Sequence, residues 1–273
     1  MTRFTTSADG TEIAYSVTGS GPALVLVDGA LCHRMFGPST ELASVLDKNF
    51  TVYTYDRRGR GETGEGVTPW SLEREVEDVD AVIKAAGGSA FVYGSSSGAV
   101  LAMEAASRLP GITRLALYEV PFVVDDTYPA RPADIIERMN AMLERGERSK
   151  MVSTFMRMVG VPGIGLAVMK LTPVWKKLKL VAHTLPWDLA LLGSDGRGSK
   201  LPADRWNVKV PTLAMDGGKS PEYLRNAMSD AAEVLGADHK TLPGQTHVVK
   251  SSVIAPELVE FFSRAQRTAG PIA

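Results

Sequence analysis

The stretch Val92-Tyr93-Gly94-Ser95-Ser96-Ser97-Gly98-Ala99-Val100 decides how this chain is read. It has the apolar run Ala90–Tyr93 before it and Ala99–Ala106 behind it, so a buried strand ends and a helix begins at the glycines. Glycine–x–serine–x–glycine is common by chance and gains weight only at such a strand-to-helix turn. There the glycines admit the tight reversal, and the middle serine is pushed outward at the helix N-terminus. The N–H of the next residue then faces any oxyanion formed beside it. Ser96 is the candidate nucleophile, with Ser95 and Ser97 as its small neighbours.

Working outward, Phe4–Thr6 and Glu12–Val17 flank Asp9-Gly10 as a β-hairpin. Ala23–Val27 and Thr51–Tyr55 are apolar strands, the second ending at the loop DRRGRG, Asp56 to Gly61. Ser71 starts a helix with acids in its first turns (Glu73, Glu75, Glu77) and the apolar stripe Leu72, Val76, Val79, Ile83; Gly87-Gly88 ends it. Ser97–Leu109 reads as helix and Arg114–Tyr118 as strand, ending at Glu119. Much later come a strand Thr212–Met215, a helix Pro221–Leu235, a short strand Lys240–Leu242 and a final helix Pro256–Arg267. Strand and helix alternate, which predicts an α/β fold with a mostly parallel central sheet flanked by helices. Residues 121–207 break the alternation, with helical patterns at Ala133–Arg145, Ser149–Val159 and Val174–Ala182 and six of the eleven methionines. They read as a helical insertion, a lid over the sheet, in which methionines either pack as core or adapt to apolar ligands.

Composition narrows the function. The 273 residues are 44% hydrophobic and 22% charged, ordinary for a globular protein with a sizeable core. A net charge of −1 gives no electrostatic argument for nucleic acid or an anionic membrane. The single cysteine, Cys32, excludes an intrachain disulfide and a cysteine-based zinc site. The longest charge-free apolar stretch, Met158 to Met169, is twelve residues broken by Pro162 and too short to span a bilayer. The N-terminus lacks the apolar core of a secretory signal, so the expected compartment is cytoplasmic, without membrane insertion. The Asp56–Gly61 loop lacks the spacing of a phosphate loop, Gly217-Gly218 lacks a dinucleotide fingerprint, and no His or acidic spacing suits a metal. The expectation is no cofactor, no metal, a small-molecule substrate, and a monomer or homodimer.

The chain resembles the α/β-hydrolase family over nearly its whole length. The resemblance rests on the Gly94–Gly98 elbow, the loop Asp28-Gly29-Ala30 after a buried strand, the Asp56–Gly61 loop, and Gly244-Gln245-Thr246-His247 near the C-terminus. The insertion falls after the sixth strand, where many members carry a cap, and serine precedes histidine as the family order requires. The resemblance implies a core domain of residues 1–120 and 208–273 and a helical cap of residues 121–207. It implies His247 as the base and the N–H groups of Ala30 and Ser97 as the oxyanion hole. The other histidines, His33, His183 and His239, are not assigned to the base.

Two positions depart from the family pattern. After the seventh strand the family usually places an aspartate, but the sequence reads MDGGKSP from Met215 to Pro221, so Ser220 stands there and Asp216 comes too early. Some relatives, including many haloalkane dehalogenases, carry the acid after the sixth strand, where this chain has Glu119. Glu119 is therefore the expected orienting acid, with Asp125 or an incomplete dyad as alternatives. The second departure is Asp28, where many members have histidine; its carboxylate either ties down the loop or opposes a developing oxyanion. Asp28, Cys32, His33, Met151 and Met156 are expected to line the substrate pocket. The resemblance implies a serine hydrolase of small to medium apolar esters, thioesters or lactones. The serine argues against the dehalogenase and epoxide-hydrolase branches, which use aspartate. Carbon–carbon bond hydrolysis, perhydrolysis and hydroxynitrile cleavage share the constellation. The serine at position 220 also leaves a ligand-binding homologue without turnover as a rival.

Overall fold

Apolar runs with no polar interruption form strands covered on both faces, and here they build the centre of one sheet. The computed structural model describes residues 1–67 and 69–268. Its eight strands are β1 (Arg3–Thr6), β2 (Glu12–Gly19), β3 (Ala23–Val27), β4 (Thr51–Tyr55), β5 (Ala90–Ser95), β6 (Ile112–Tyr118), β7 (Thr212–Gly217) and β8 (Asp238–Leu242). They lie in the order β1-β2-β4-β3-β5-β6-β7-β8. The hairpin β1–β2 and the β2–β4 pair are antiparallel and every other pairing is parallel, as the alternating pattern predicts.

Side chains alternate between two cores along each central strand. Val25 and Val27 of β3 face helices α2 (Leu72–Ala85), α3 (Ser97–Arg108) and α9 (Glu222–Leu235); Leu24 and Leu26 face α1 (Ser39–Leu46) and α10 (Ser251–Thr268). Ser71 caps α2 by accepting the Arg74 N–H, and the acids of its first turn oppose the positive end of the helix dipole. Helix α1 carries no reading in the sequence, because its eight residues show only Leu42, Ala43 and Leu46 to the core. Helix α10 begins five residues before Pro256, the expected start. Burial of Ile254, Ala255 and Leu258 offsets the backbone bond that proline removes.

Between β6 and β7 the chain forms α4 (Ile135–Glu144), α5 (Arg148–Met158), α6 (Gly163–Lys170), α7 (Pro173–Leu180), a 3₁₀ turn (Ala182–Thr184) and α8 (Leu185–Ala190), without a strand among the described residues. These helices share their own apolar cluster, and it reaches the main body at Ala30, Leu31 and Phe36 in the loop after β3. The sequence pattern finds α4, α5 and α7 but not the short α6 and α8.

Candidate active site

Parallel strands converge their carboxyl ends on one edge of the sheet, and the loops leaving β3, β5, β6 and β7 meet there. Side chains rarely tolerate a left-handed backbone. The three non-glycine residues with positive φ among the described residues are Leu31, Ser96 and Glu119, at 63°, 56° and 49°, and all three lie in these loops. Backbone strain concentrated in this way marks a functional site.

Ser96 sits at the turn from β5 into α3, with φ 56° and ψ −129°. Its N–H donates to Tyr118 O at 2.9 Å, which ties the turn to the end of β6. Two glycines make the turn possible through close approach. A Cβ at Gly98 would lie 2.3 Å from Val27 O and 2.5 Å from Asp28 O, so α3 starts hard against β3. A Cβ at Gly29 would lie 2.9 Å from Ser96 Cβ and 3.5 Å from its Oγ. The loop carrying Ala30 is thus seated on the serine.

Glu119 follows β6 and is fully buried. Its N–H donates to Met215 O, and its Oε1 accepts the Gly217 N–H at 2.7 Å. Its Oε2 lies 2.7 Å from His247 Nδ1. A carboxylate only accepts, so the imidazole holds its proton on Nδ1 and leaves Nε2 as an acceptor. The His247 loop is fixed by its neighbours. Tyr118 Oη donates to Thr246 O at 2.6 Å, Lys219 N–H donates to Gln245 O, and Lys250 N–H donates to Gln245 Oε1. The His247 side chain itself is 43% exposed.

The alternatives weighed in the sequence lie elsewhere. Asp125 is exposed and accepts from Thr127 and from Asn226 Nδ2. Ser220 is buried beside Gly217. Asp216 is the penultimate residue of β7, fully buried, and pairs with His239 Nε2 at 2.5 Å. His33 packs on Phe36, and His183 sits against Trp187 and Arg148.

Asp28 accepts a 2.6 Å bond from Ser39 Oγ at the start of α1. Burial raises its pKa to about 6, against the pull of Ser39, Arg60 and Arg57. Cys32 lies near it, and burial followed by the Asp28 charge raises the thiol to about 12, so the thiolate is scarce at neutral pH. Met151 is fully buried and Met156 half-buried, both in the cluster of inserted helices that includes Ala30 and Leu31.

The feature that the sequence does not disclose is Asp188. It projects from α8, fully buried, to Arg57 Nη1 at 2.9 Å and Arg60 Nη2 at 2.7 Å, and it accepts from Ser97 Oγ at 2.8 Å. Burial works against its charge, but Arg60 and Arg57 outweigh it and hold the carboxyl below its ordinary range. Arg57 also forks onto both oxygens of Glu75 and donates to Asp28 O; Arg60 donates to Gly29 O at 2.8 Å. The Asp56–Gly61 loop therefore grips the carbonyls of the loop after β3. Its first residue, Asp56, accepts from the N–H and Nε of Arg34 and from Glu62 N–H, which holds the loop. A single aspartate in a tract without a motif gives no signal of partners 131 residues earlier.

A parallel sheet with a strained serine turn, a buried acid and a histidine on the last loop defines a hydrolase architecture. The chain belongs to the alpha/beta hydrolase family, whose pattern matches residues 20–259. It is similar to an alpha/beta hydrolase from Sphaerobacter thermophilus, at 46% identity and TM-score 0.88, over 95% of this chain and 100% of that one. An uncharacterized hydrolase of Bacillus subtilis is 29% identical over 172 residues, 55% of this chain and 61% of that protein. A pimeloyl-[acyl-carrier protein] methyl ester esterase of Stenotrophomonas maltophilia is 38% identical over 102 residues, 37% of each chain. The chain thus spans less than two thirds of either curated relative's length. No helix among the described residues is long and apolar enough to cross a membrane.

Proposed function

We propose that this hydrolase cleaves small to medium apolar carboxylic esters, thioesters or lactones through an acyl-enzyme on Ser96. The observation that carries the reading is the buried Glu119, fixed by Gly217 N–H and 2.7 Å from His247 Nδ1, on the strand next to the serine turn. In this mechanism His247 Nε2 takes the Ser96 proton as Oγ attacks the carbonyl carbon. The carbonyl oxygen becomes an oxyanion held by the N–H groups of Ala30 and Ser97. Collapse breaks the bond to the leaving alcohol, thiol or lactone oxygen, which takes the proton from His247. Water, deprotonated by the same imidazole, then cleaves the acyl-enzyme and returns the proton to Ser96. Glu119 stabilises the imidazolium at both stages.

The inserted helices act as a cap, and their cluster supports the apolar substrate. All six methionines of residues 121–207 (Met139, Met142, Met151, Met156, Met158 and Met169) pack in the one cluster that touches Ala30 and Leu31. Unbranched, polarizable side chains adapt to acyl chains of differing shape. Asp28, with its Ser39 bond, holds the oxyanion loop, and Cys32 and His33 border the pocket without a chemical role. Fluorophosphonate labelling with peptide mapping, alongside hydrolysis of p-nitrophenyl esters, tests the reading. Label on Ser96 and turnover lost in Ser96→Ala support it. Tight ligand binding with neither label nor turnover would replace it with the binding homologue.

A further inference from the structure

The twelve-residue apolar stretch Met158–Met169 is too short to cross a bilayer and is only partly used by the core. In α6 it buries one residue, Leu166, at 2% exposure. Ile164, Val168 and Leu171, spaced i, i+4 and i+7, share the opposite side and are 83%, 59% and 88% exposed. Val174 and Leu180 on the adjoining α7 are exposed as well. An uncovered apolar patch of this kind on a globular protein marks an interaction surface.

The charge around it selects the partner. Residues 148–180 hold seven lysines and arginines (Arg148, Lys150, Arg157, Lys170, Lys176, Lys177 and Lys179) and no acid, in a chain with 30 basic and 31 acidic residues overall. The near-zero net charge therefore conceals a basic segment in an otherwise net-acidic chain. Among the described residues one of the seven, Lys150, forms an ion pair, with Glu147. A concavity of about 300 Å³ beside α6 is lined by Lys150, Arg157 and Lys170 with Ser149 and Ser153, cations and hydroxyls suited to a phosphate group. Arg148 donates to Lys179 O and Leu180 O and Lys177 lies over the Phe36 ring, which leaves five cations, and a second copy would bring these against their like, which disfavours self-association.

We propose that α6 and α7 form an interfacial docking surface for an anionic lipid bilayer, with Ile164, Val168 and Leu171 entering the acyl boundary and the surrounding lysines and arginines meeting lipid phosphates. Exposed aliphatic side chains flanked by long cationic ones are the pattern of helices that lie in a membrane interface. The net charge argues against an anionic membrane only while it is treated as uniform. Docking is separate from ester chemistry, although together they place the enzyme where an apolar ester partitions.

The test is co-sedimentation of the full chain with vesicles of phosphatidylcholine alone and of phosphatidylcholine with phosphatidylglycerol, repeated with Ser96→Ala so that binding is read without turnover. Binding is expected to the anionic vesicles, equally for Ser96→Ala, and to weaken as salt rises. Each cation removed near the surface should weaken it roughly fivefold, and each one reversed by about the square of that factor. Lys176→Glu with Lys179→Glu, and separately Ile164→Ser with Leu171→Ser, should release the protein while thermal melting confirms that they fold. No binding to either vesicle, or equal binding to both, overturns the proposal. A dimer in light scattering that Leu171→Ser dissociates would assign the face to a second copy instead. Saturable binding of a purified acyl carrier protein, without vesicle binding, would assign it to an acidic protein.

Discussion

Replacing Glu119 by glutamine perturbs one atom and separates the triad from a dyad. The glutamine carbonyl keeps the bond from Gly217 N–H, since the geometry at 2.7 Å is unchanged. Its amide nitrogen then faces His247 Nδ1, where the carboxylate stood at 2.7 Å. An amide N–H needs an acceptor, so the imidazole moves its proton to Nε2 and no longer accepts from Ser96. The imidazolium also loses its only carboxylate among the hydrogen-bond partners of His247. The expected fall in kcat is about 10⁴-fold, or about 5 kcal/mol of barrier. The fold exchanges two charge-assisted hydrogen bonds for neutral ones, about 1–3 kcal/mol in all, so the variant remains folded. Stopped-flow hydrolysis of a p-nitrophenyl ester, with the rate of fluorophosphonate labelling and a thermal melt in parallel, reads all three quantities. A folded variant that loses less than about tenfold would refute the orienting role and leave a serine–histidine dyad.

Other variants probe the rest of the frame. Asp188→Asn leaves Arg57 and Arg60 without their shared carboxylate in the interior, a loss of about 3–5 kcal/mol by denaturant unfolding, with KM and kcat both impaired because an amide N–H then opposes Arg60 and loosens its hold on Gly29 O. Asp28 holds its proton to about pH 6 in the folded chain and to about pH 4 unfolded, so the native state binds more protons between these values. Its contribution is full below about pH 4 and is lost as pH rises through about 6; in Asp28→Asn, which keeps an acceptor for Ser39, the part of the melting-temperature decline due to this group should disappear. Gly98→Ala puts a methyl 2.3 Å from Val27 O and should destabilise by at least about 3 kcal/mol or prevent soluble expression. Met156→Lys, at a half-buried cluster position, should slow octanoate esters more than acetate esters; equal loss on both would count against an acyl pocket there.

How far the sequence carries depends on whether a residue's role is local. Ser96 is legible because glycine spacing, strand and helix all lie within nine residues. His247 is legible from its place between the last strand and the last helix. Glu119 emerges from an absence, the serine at position 220, combined with a carboxylate at the end of the previous strand. The structure puts Gly217, the last residue of β7, to use as the donor that orients Glu119, so the usual acid-bearing strand still takes part through its backbone. Asp188 is illegible because its role exists only when α8 reaches loops more than 90 residues away. Helix α8 escapes notice because six residues carry too few turns for a period to show, and α6 because it buries the single residue Leu166.

The three arginines of the Asp56–Gly61 loop also bear on how such a molecule is assembled and inherited. Arg58 reaches the hairpin at Asp9 and α2 at Asp78, and Arg57 reaches α2 at Glu75, while Arg60 takes its carboxylate from α8. During folding the sheet and its flanking helices hold one buried arginine, Arg60, whose carboxylate comes only with the later-synthesised α8. The same dependence limits exchange between relatives. A foreign insertion lacking an acid at this point would strand the Arg60 guanidinium in the interior, whereas single replacements among the methionines would not. The insertion and the Asp56–Gly61 loop are thus coupled through one carboxylate, and exchanging the insertion whole requires an acid that reaches Arg60.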